Sequence, residues 1–464
     1  MSASTPQPGL KRALGLPGLT LFGLTYMTAV TVFTTYGIVN KTTDGHLPAA
    51  YVVAVVTMLF TAASYGAMVK KYPIAGSAYT YTQQAFGGGI GFITGWVLLL
   101  DYLFLPMINF MLIGIYLNTQ FPGVPAWVFT LSGLVIVLGF NLLGITLVNR
   151  VNAVIISLSM VLIVVFIALS IKTANASPDT VGILDPFLPG EAGIGPIFSG
   201  AAVLALSFLG FDAVSTLAEE AKRPRVDIPR AIILSTLIGG AIFIAVSWAG
   251  AMAYPDWRNF GDLDSAGVTL MTHVGGEVIA SIFVAVFVAG CFGSGMTSQV
   301  SVSRIIFAMG RDGSLPRVFS RIWAKRGTPL IATVTVSVFA LLGLALTLDQ
   351  AAHMISFGAL AAFSMVNLGV IRVYLFPRGG RRQAPTAWEW IRYGVLPLIG
   401  FALTIWLWTS LSPNTFLIGG IWIVVGLVLI GVATKGFRRP VPKMDFTEQI
   451  QVIPTELAED APGR

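Results

Sequence analysis

The chain has 464 residues, of which 55% are hydrophobic and only 11% charged, with a mean hydropathy of +0.81. Soluble domains carry about 25% charge, so a core of this size could not be covered with polar surface in water, and the solvent must be lipid. The net charge of +7 has no basic patch on a polar domain behind it, which argues against a nucleic-acid partner.

No polar stretch is long enough to fold separately, so the simplest reading is one lipid-embedded domain. The single cysteine, Cys291, excludes an internal disulfide, and it sits in an apolar span as a small hydrophobe would. Three histidines, His46, His273 and His353, fall at span ends and rule out a histidine-rich metal site.

At the N-terminus Lys11 and Arg12 precede an apolar segment in the manner of a signal peptide. That segment is too long and too rich in threonine, and no small-residue cleavage site follows it. It reads instead as the first transmembrane helix. A spanning helix needs about 20 mostly apolar residues. Twelve segments qualify, at roughly 19–40, 48–68, 88–118, 125–147, 152–171, 194–218, 231–254, 275–308, 328–348, 353–376, 391–411 and 414–434.

Lys and Arg set the orientation. With the N-terminus inside and every second loop cytoplasmic, 25 basic residues lie inside, while only Lys41, Lys172 and Arg258 lie outside. Such a split supports both the span count and cytoplasmic N- and C-termini. The expected organisation is a cytoplasmic tail over 1–18, a transmembrane domain over 19–434, and a cytoplasmic, disordered tail over 435–464 that is rich in acids and prolines.

Two spans carry signs of interruption. The first crowds Thr and Val, mediocre helix formers, between Thr28 and Thr35. The sixth places Gly210 beside Asp212 at membrane depth. These spans open two five-helix sets, 1–5 and 6–10, that run in opposite directions. Paired interruptions in matching halves point to a transport site at the midplane. The competing reading keeps both helices intact, with threonines back-bonding and Gly210 as a packing notch.

Away from the span ends only two acids lie in apolar segments, Asp101 in span 3 and Asp212 in span 6. An ionised acid costs about 2.5–3.5 kcal/mol at the centre of an inserted helix. No Lys or Arg lies equally deep, so each acid needs a proton, a metal cation or an organic cation. Asp212 could alternatively cap the lower half-helix, and Asp101 could be protonated and bonded to a neighbouring helix. Tyr26, Tyr36, Tyr102, Phe208 and Phe211 could offer cation–π faces or merely pack.

Glu219 and Glu220 end span 6 among Lys222, Arg223 and Arg225, as a solvated cluster or an inner gate. Thr297, Ser298, Ser301 and Ser303 form a hydroxyl run near the end of span 8. Thr297 and Ser298 could hold sodium or act as packing glue. No nucleophile–base constellation, phosphate-cradling loop or metal-ligand spacing is present, so neither an enzyme nor a cofactor is expected.

On these residues the chain resembles the amino acid–polyamine–organocation superfamily of permeases, and within it the bacterial putrescine importers. The resemblance is carried by SYGAMVKKYPIAGSAYTY after span 2, DYLFLPMIN in span 3, SFLGFDAVSTLAEE in span 6, and VSVSRIIFAMGRDGSLPRVF leading into RGTPLIA after span 8. It runs from about Leu19 to Val432.

The resemblance implies an all-α, LeuT-like five-plus-five inverted repeat, at about 19–171 and 194–376, with two further helices over 391–434. It implies substrate binding between broken helices 1 and 6, at Thr28, Ala29, Val30, Thr31 and Val32 and at Ser207, Phe208, Leu209, Gly210, Phe211 and Asp212, with Asp101 and Tyr102 added from the acid argument. Amino-acid members carry a GSGIF-like glycine stretch in span 1, where this chain has Ala29-Val30-Thr31-Val32-Phe33. Those glycines admit a substrate carboxylate, so their absence suits a diamine. Thr297-Ser298 matches a Thr-Ser pair of sodium-coupled relatives, and the span-5 lysine of some proton-coupled relatives is missing.

The expectation is an inner-membrane importer of a small organic cation, putrescine or a related polyamine, coupled to protons ahead of sodium, with Asp101, Glu219 and Glu220 as coupling or gating candidates. A neutral or cationic amino acid permease is the alternative, and a channel or receptor the different class.

Overall fold

The computed structural model describes residues 14–73, 77–143, 148–177, 182–190, 193–311, 315–323, 328–377, 384–434 and 436. Most of the first expected tail and all of the second but Gly436 lie outside these residues.

The first span is broken where the β-branched run begins. Helix α1 (Leu16–Met27) stops at Thr28, whose φ of 47° and ψ of 100° are left-handed, a conformation that costs a non-glycine residue about 1–2 kcal/mol. A tight 3-10 turn follows at Ala29–Phe33, and α2 (Tyr36–Thr42) resumes the span. Helix α3 (Leu47–Lys71) starts with Pro48 in its first turn, where a missing N–H costs nothing. The short α4 (Ala78–Phe86) ends at Gly87, with φ of 101°, and the chain turns straight into α5 (Gly88–Gln120). Helices α6 (Ala126–Leu143) and α7 (Val148–Ala176) complete the first set.

The second set repeats this plan. Helix α8 (Gly195–Leu204) tightens into a 3-10 turn at Ala205–Phe208, breaks at Leu209 and Gly210, and continues as a second 3-10 turn at Ala213–Glu219. Helix α9 (Pro224–Ala253) follows. Then α10 (Ala266–Arg311) bends at Gly276, with φ of 75°, which matches the elbow at Gly87 in the first set. Both elbows need a left-handed residue, and glycine supplies it without strain. Helix α11 (Leu330–Ala340) runs into a tight turn at Leu341–Leu344, and α12 (Leu348–Tyr374) opens with a Thr347/Gln350 capping box. Helix α13 (Ala387–Trp390) passes through a π turn into α14 (Leu396–Thr409), and α15 (Pro413–Ala433) is last.

Ten of the described helical segments are long and apolar enough to cross a membrane, and two shorter apolar ones lie at Ala126–Leu142 and Leu330–Leu344. They fall where the twelve spans were expected. The molecule is an all-helical membrane protein with the inverted-repeat plan. Helix α5 is the most enclosed span and packs against α6, α10 and α12, while α3 lies along α9. The last helix is stapled on by a reciprocal pair. Trp96 Nε1 donates to the Trp422 carbonyl at 2.7 Å, and Trp422 Nε1 to the Trp96 carbonyl at 2.8 Å.

Two ties lie at opposite ends of the first span. On one face, Leu14 N–H donates to the Glu220 carbonyl at 3.1 Å, and Lys222 N–H donates to the Leu14 carbonyl at 2.8 Å. On the other, Arg258 Nη2 lies 2.6 Å from Asp44 Oδ1, and Trp257 Nε1 donates to the same oxygen at 3.3 Å.

Candidate functional site

The two broken helices touch at their breaks. A Cβ on Gly210 would stand 2.6 Å from Tyr26 Cδ1 and 3.0 Å from the Met27 nitrogen, so helix 6 comes this close to helix 1 only because residue 210 has no side chain. The threonines do back-bond: Thr28 Oγ1 donates to the Thr25 carbonyl and Thr31 Oγ1 to the Met27 carbonyl, both at 3.2 Å. They do so in a helix that is nonetheless interrupted, which corrects the intact-helix reading. Gly210, with φ of 119°, is a backbone break as well as a notch. The Phe33 carbonyl beyond the first break is held by Tyr116 OH at 3.0 Å.

Asp212 stands ahead of the 213–219 turn without capping it. Its Oδ1 instead accepts the Gly210 N–H at 3.2 Å, closing the break on itself, and its carbonyl accepts Ser215 Oγ at 2.6 Å. The side chain is half-buried, and among the described residues it forms no salt bridge. Asp101 is 5% exposed, and its Oδ1 is buried with no hydrogen-bond partner. Helix α12 presses on it from one side, since a Cβ on Gly358 would stand 2.8 Å from the Val97 carbonyl and 3.1 Å from the Asp101 nitrogen. Tyr26 lies within electrostatic reach of both acids, and so does Tyr65. An acid sealed from water without a basic partner is expensive, and Asp101 is so placed with a second, half-buried acid in electrostatic reach.

A cavity of about 320 Å³ opens beside the first break. Thr28, Val30 and Thr31 line it, with Leu209 from helix 6 and Thr297 and Ser298 from α10. Tyr26 also faces it, with 37% of its surface exposed. Asp101, Tyr102 and Asp212 do not line this cavity. Tyr26 thus faces the cavity and lies within electrostatic reach of both acids. The hydroxyls of Thr297 and Ser298 donate to the Gly293 and Ser294 carbonyls at 2.9 and 2.7 Å, which leaves their oxygen lone pairs as acceptors.

The remaining expected residues divide between packing and backbone roles. Val32, Phe208 and Phe211 are fully buried. Phe208 meets Phe243 edge-on at 5.4 Å, and Ser207 Oγ lies 3.4 Å from Tyr51 OH. These side chains hold the break in place. Ala29 is placed by its backbone in the tight turn, while its side chain and that of Glu219 lie outside the described residues. Tyr102 is half-buried beside Asp101. Glu220 contributes its carbonyl to the tie with Leu14.

Tyr65, which sequence reading missed, lies against the helix-6 break. It is fully buried, its hydroxyl has no hydrogen-bond partner, and its ring meets Phe211 at 5.6 Å. A tyrosine at depth in an apolar span was the only available signal.

Comparison with known proteins fits this architecture. The amino acid permease family model matches residues 18–425. The chain is 38% identical to the low-affinity putrescine importer PlaP of Escherichia coli strain K12, over 96% of this chain and 98% of that protein. It is 30% identical to the branched-chain amino acid permease BcaP of Bacillus subtilis, over 92% of this chain and 94% of that one. The methylthioribose transporter of Bacillus subtilis is 29% identical, over 92% and 95%. With two broken helices meeting at the centre of a multi-pass bundle, and a family match over nearly its whole length, this chain belongs to the amino acid permease family.

Proposed function

We propose that this permease imports a small organic cation across the bacterial inner membrane, that the cation is a diamine such as putrescine, and that the proton gradient drives it. The carrying observation is the buried, unpartnered Oδ1 of Asp101 within electrostatic reach of Asp212, with no basic side chain bonded to either acid among the described residues. Two uncompensated acids in a closed site are complementary to two ammonium groups. The likeness to PlaP supports this reading. So does the Ala29–Phe33 turn, which offers no glycine approach to a substrate carboxylate.

In this reading the substrate enters between helices 1 and 6, and breakage of the tie at one face accompanies formation of the tie at the other. The Leu14 tie lies on the cytoplasmic side, with both termini, and the Asp44–Arg258 tie on the outside.

Uptake into proteoliposomes with labelled putrescine, competed by ornithine and leucine, tests the substrate. Ornithine is putrescine plus a carboxylate, so putrescine should compete far better. Equal competition removes the diamine reading, and stronger competition by leucine favours the amino acid alternative, for which the likeness to BcaP speaks.

A further inference from the structure

Four spans reach their boundaries at one patch. Lys70 and Lys71 close α3, Tyr374 closes α12, Arg230 lies in the second turn of α9, and Arg392 and Tyr393 lie in the π turn ahead of α14. These ends are locked together. Tyr374 OH donates to the Ala67 carbonyl of α3 at 2.9 Å, and its ring stacks on Tyr393 at 3.9 Å with the planes 8° apart. Gly66 lets α9 approach α3, since a Cβ there would stand 3.1 Å from Pro229 Cβ. Two bases lie over the aromatic pair. Lys71 Nζ is 5.9 Å from the centre of the Tyr374 ring, and Arg392 Cζ is 5.5 Å from that of Tyr393. Lys70 lies within electrostatic reach of both Arg392 and Arg230. All four bases are exposed, and none forms a salt bridge among the described residues.

Like charges held within reach of one another on a rigid frame repel. At other span ends of this protein a base has its acid, as Arg223 has Asp227 and Arg258 has Asp44. The patch is instead complementary to an anion that meets several bases at once. Its surroundings say which anion. Trp388, Trp390 and Phe376, neighbours of Arg392 and Tyr374 in the chain, are 65%, 47% and 57% exposed. Exposed tryptophans collect where a bundle meets the headgroup layer, and basic pockets between helix ends at that level take anionic headgroups. A soluble anion would leave these aromatic faces in water. A phospholipid covers them with its chains while its phosphate sits among the bases.

We infer that Lys70, Lys71, Arg230 and Arg392 form a binding site for the headgroup of an anionic phospholipid. Tyr374 and Tyr393 are its floor. Their stack holds Lys71 and Arg392 in place, so these side chains lose less freedom when a headgroup arrives. The site is independent of the transported substrate. It joins α3 of the first helix set to α9 and α12 of the second, so a bound lipid bridges elements of both repeats.

The test uses the purified full-length transporter in mild detergent. The probes are phosphatidylglycerol, phosphatidylcholine with the same acyl chains, and inorganic phosphate. Binding is titrated by native mass spectrometry beside a melting curve. Wild type should hold phosphatidylglycerol well above phosphatidylcholine. Each charge removed should weaken phosphatidylglycerol about 5-fold, and Lys70→Gln, Arg230→Gln and Arg392→Gln together about 100-fold, with phosphatidylcholine unchanged. Arg392→Gln alone leaves the Tyr374–Tyr393 stack in place and gives the same reading if the triple variant melts early. Removing three exposed bases from other segments, by Lys172→Gln, Arg317→Gln and Arg321→Gln, should leave binding near wild type. Equal binding of the two lipids overturns the site, and so does equal weakening by the second triple variant. Inorganic phosphate bound as tightly as phosphatidylglycerol would assign the bases to a free anion and overturn the lipid.

Discussion

Gly210 and Tyr26 meet so closely that a single methyl group cannot be inserted between them: a Cβ on Gly210 would lie 2.6 Å from Tyr26 Cδ1 and 2.8 Å from its Cβ. The left-handed φ of 119° at Gly210 adds a conformational penalty for any other residue. Gly210→Ala should therefore push the two breaks apart and lower uptake by at least 10-fold, with strain of about 1–3 kcal/mol visible as a lower melting temperature. Wild-type uptake by this variant would show that the helices do not need this approach to transport.

Much of this architecture is legible in the sequence, and the reasons are physical. Span length and the Thr/Val run from 28 to 35 follow from local rules of lipid burial and helix propensity, and the structure places helices and a break there. The paired elbows at Gly87 and Gly276 were not foreseen, because a glycine in an apolar stretch reads equally well as packing. Asp212 illustrates another limit. Position suggested a helix cap, but the side chain bonds backward to Gly210, a choice set by the geometry of the break. The isolation of Asp101 Oδ1 and the Tyr65 hydroxyl depends on three helices distant in sequence, and no spacing rule encodes it.

The tie between Asp44 and Arg258 is exposed, with side chains 46% and 62% accessible, so its contribution to global stability is small, below about 1 kcal/mol. Its effect should appear in the balance between conformations. Arg258→Ala should favour outward opening by up to about 5-fold, because even 1 kcal/mol shifts a two-state equilibrium by that much. Labelling of a cysteine introduced at Thr34, on the cavity wall, would report this from the outer side, with Cys291 first replaced by Ala. Unchanged labelling would assign the pair to the surface alone.

Leu14 offers the complementary test on the other face. Leu14→Pro deletes the N–H that donates to the Glu220 carbonyl and keeps the carbonyl that accepts from Lys222. On the proposed topology, loosening this tie should raise labelling of the same cysteine from the cytoplasmic side and slow concentrative uptake. Protection identical to wild type would show that backbone pairing at this point does not hold the inner side shut.

Substituting Asp212 separates charge from geometry. Asn keeps an oxygen able to accept the Gly210 N–H but brings no charge to an amine. Asp212→Asn should leave the melting temperature close to wild type and weaken putrescine by about 10-fold to 150-fold, the equivalent of a charge-assisted bond of about 1.5–3 kcal/mol. Asp212→Ala should in addition lose thermal stability, because the Gly210 N–H is left without its acceptor. Wild-type affinity in the Asn variant would reduce Asp212 to a structural element of the break.

Coupling is the last question, and an acid rate optimum alone would not answer it. Burial, with Asp262 and Asp349 nearby, holds the Asp264 carboxyl above the ordinary carboxylate range. A raised folded-state value means that acid favours the folded segment ahead of α10. That contribution is complete below the unfolded value and fades as pH rises through the folded one. On the proposed topology, outer pH would therefore act on the loop ahead of α10 without any proton being carried. The decisive measurement is accumulation against a gradient. An inward proton gradient at equal sodium on both sides should concentrate putrescine inside proteoliposomes, and Asp264→Asn should preserve that uphill step while altering the rate profile. If accumulation instead requires a sodium gradient and is lost in Thr297→Ala or Ser298→Ala, the cavity beside the first break is a sodium site, and the proton reading falls.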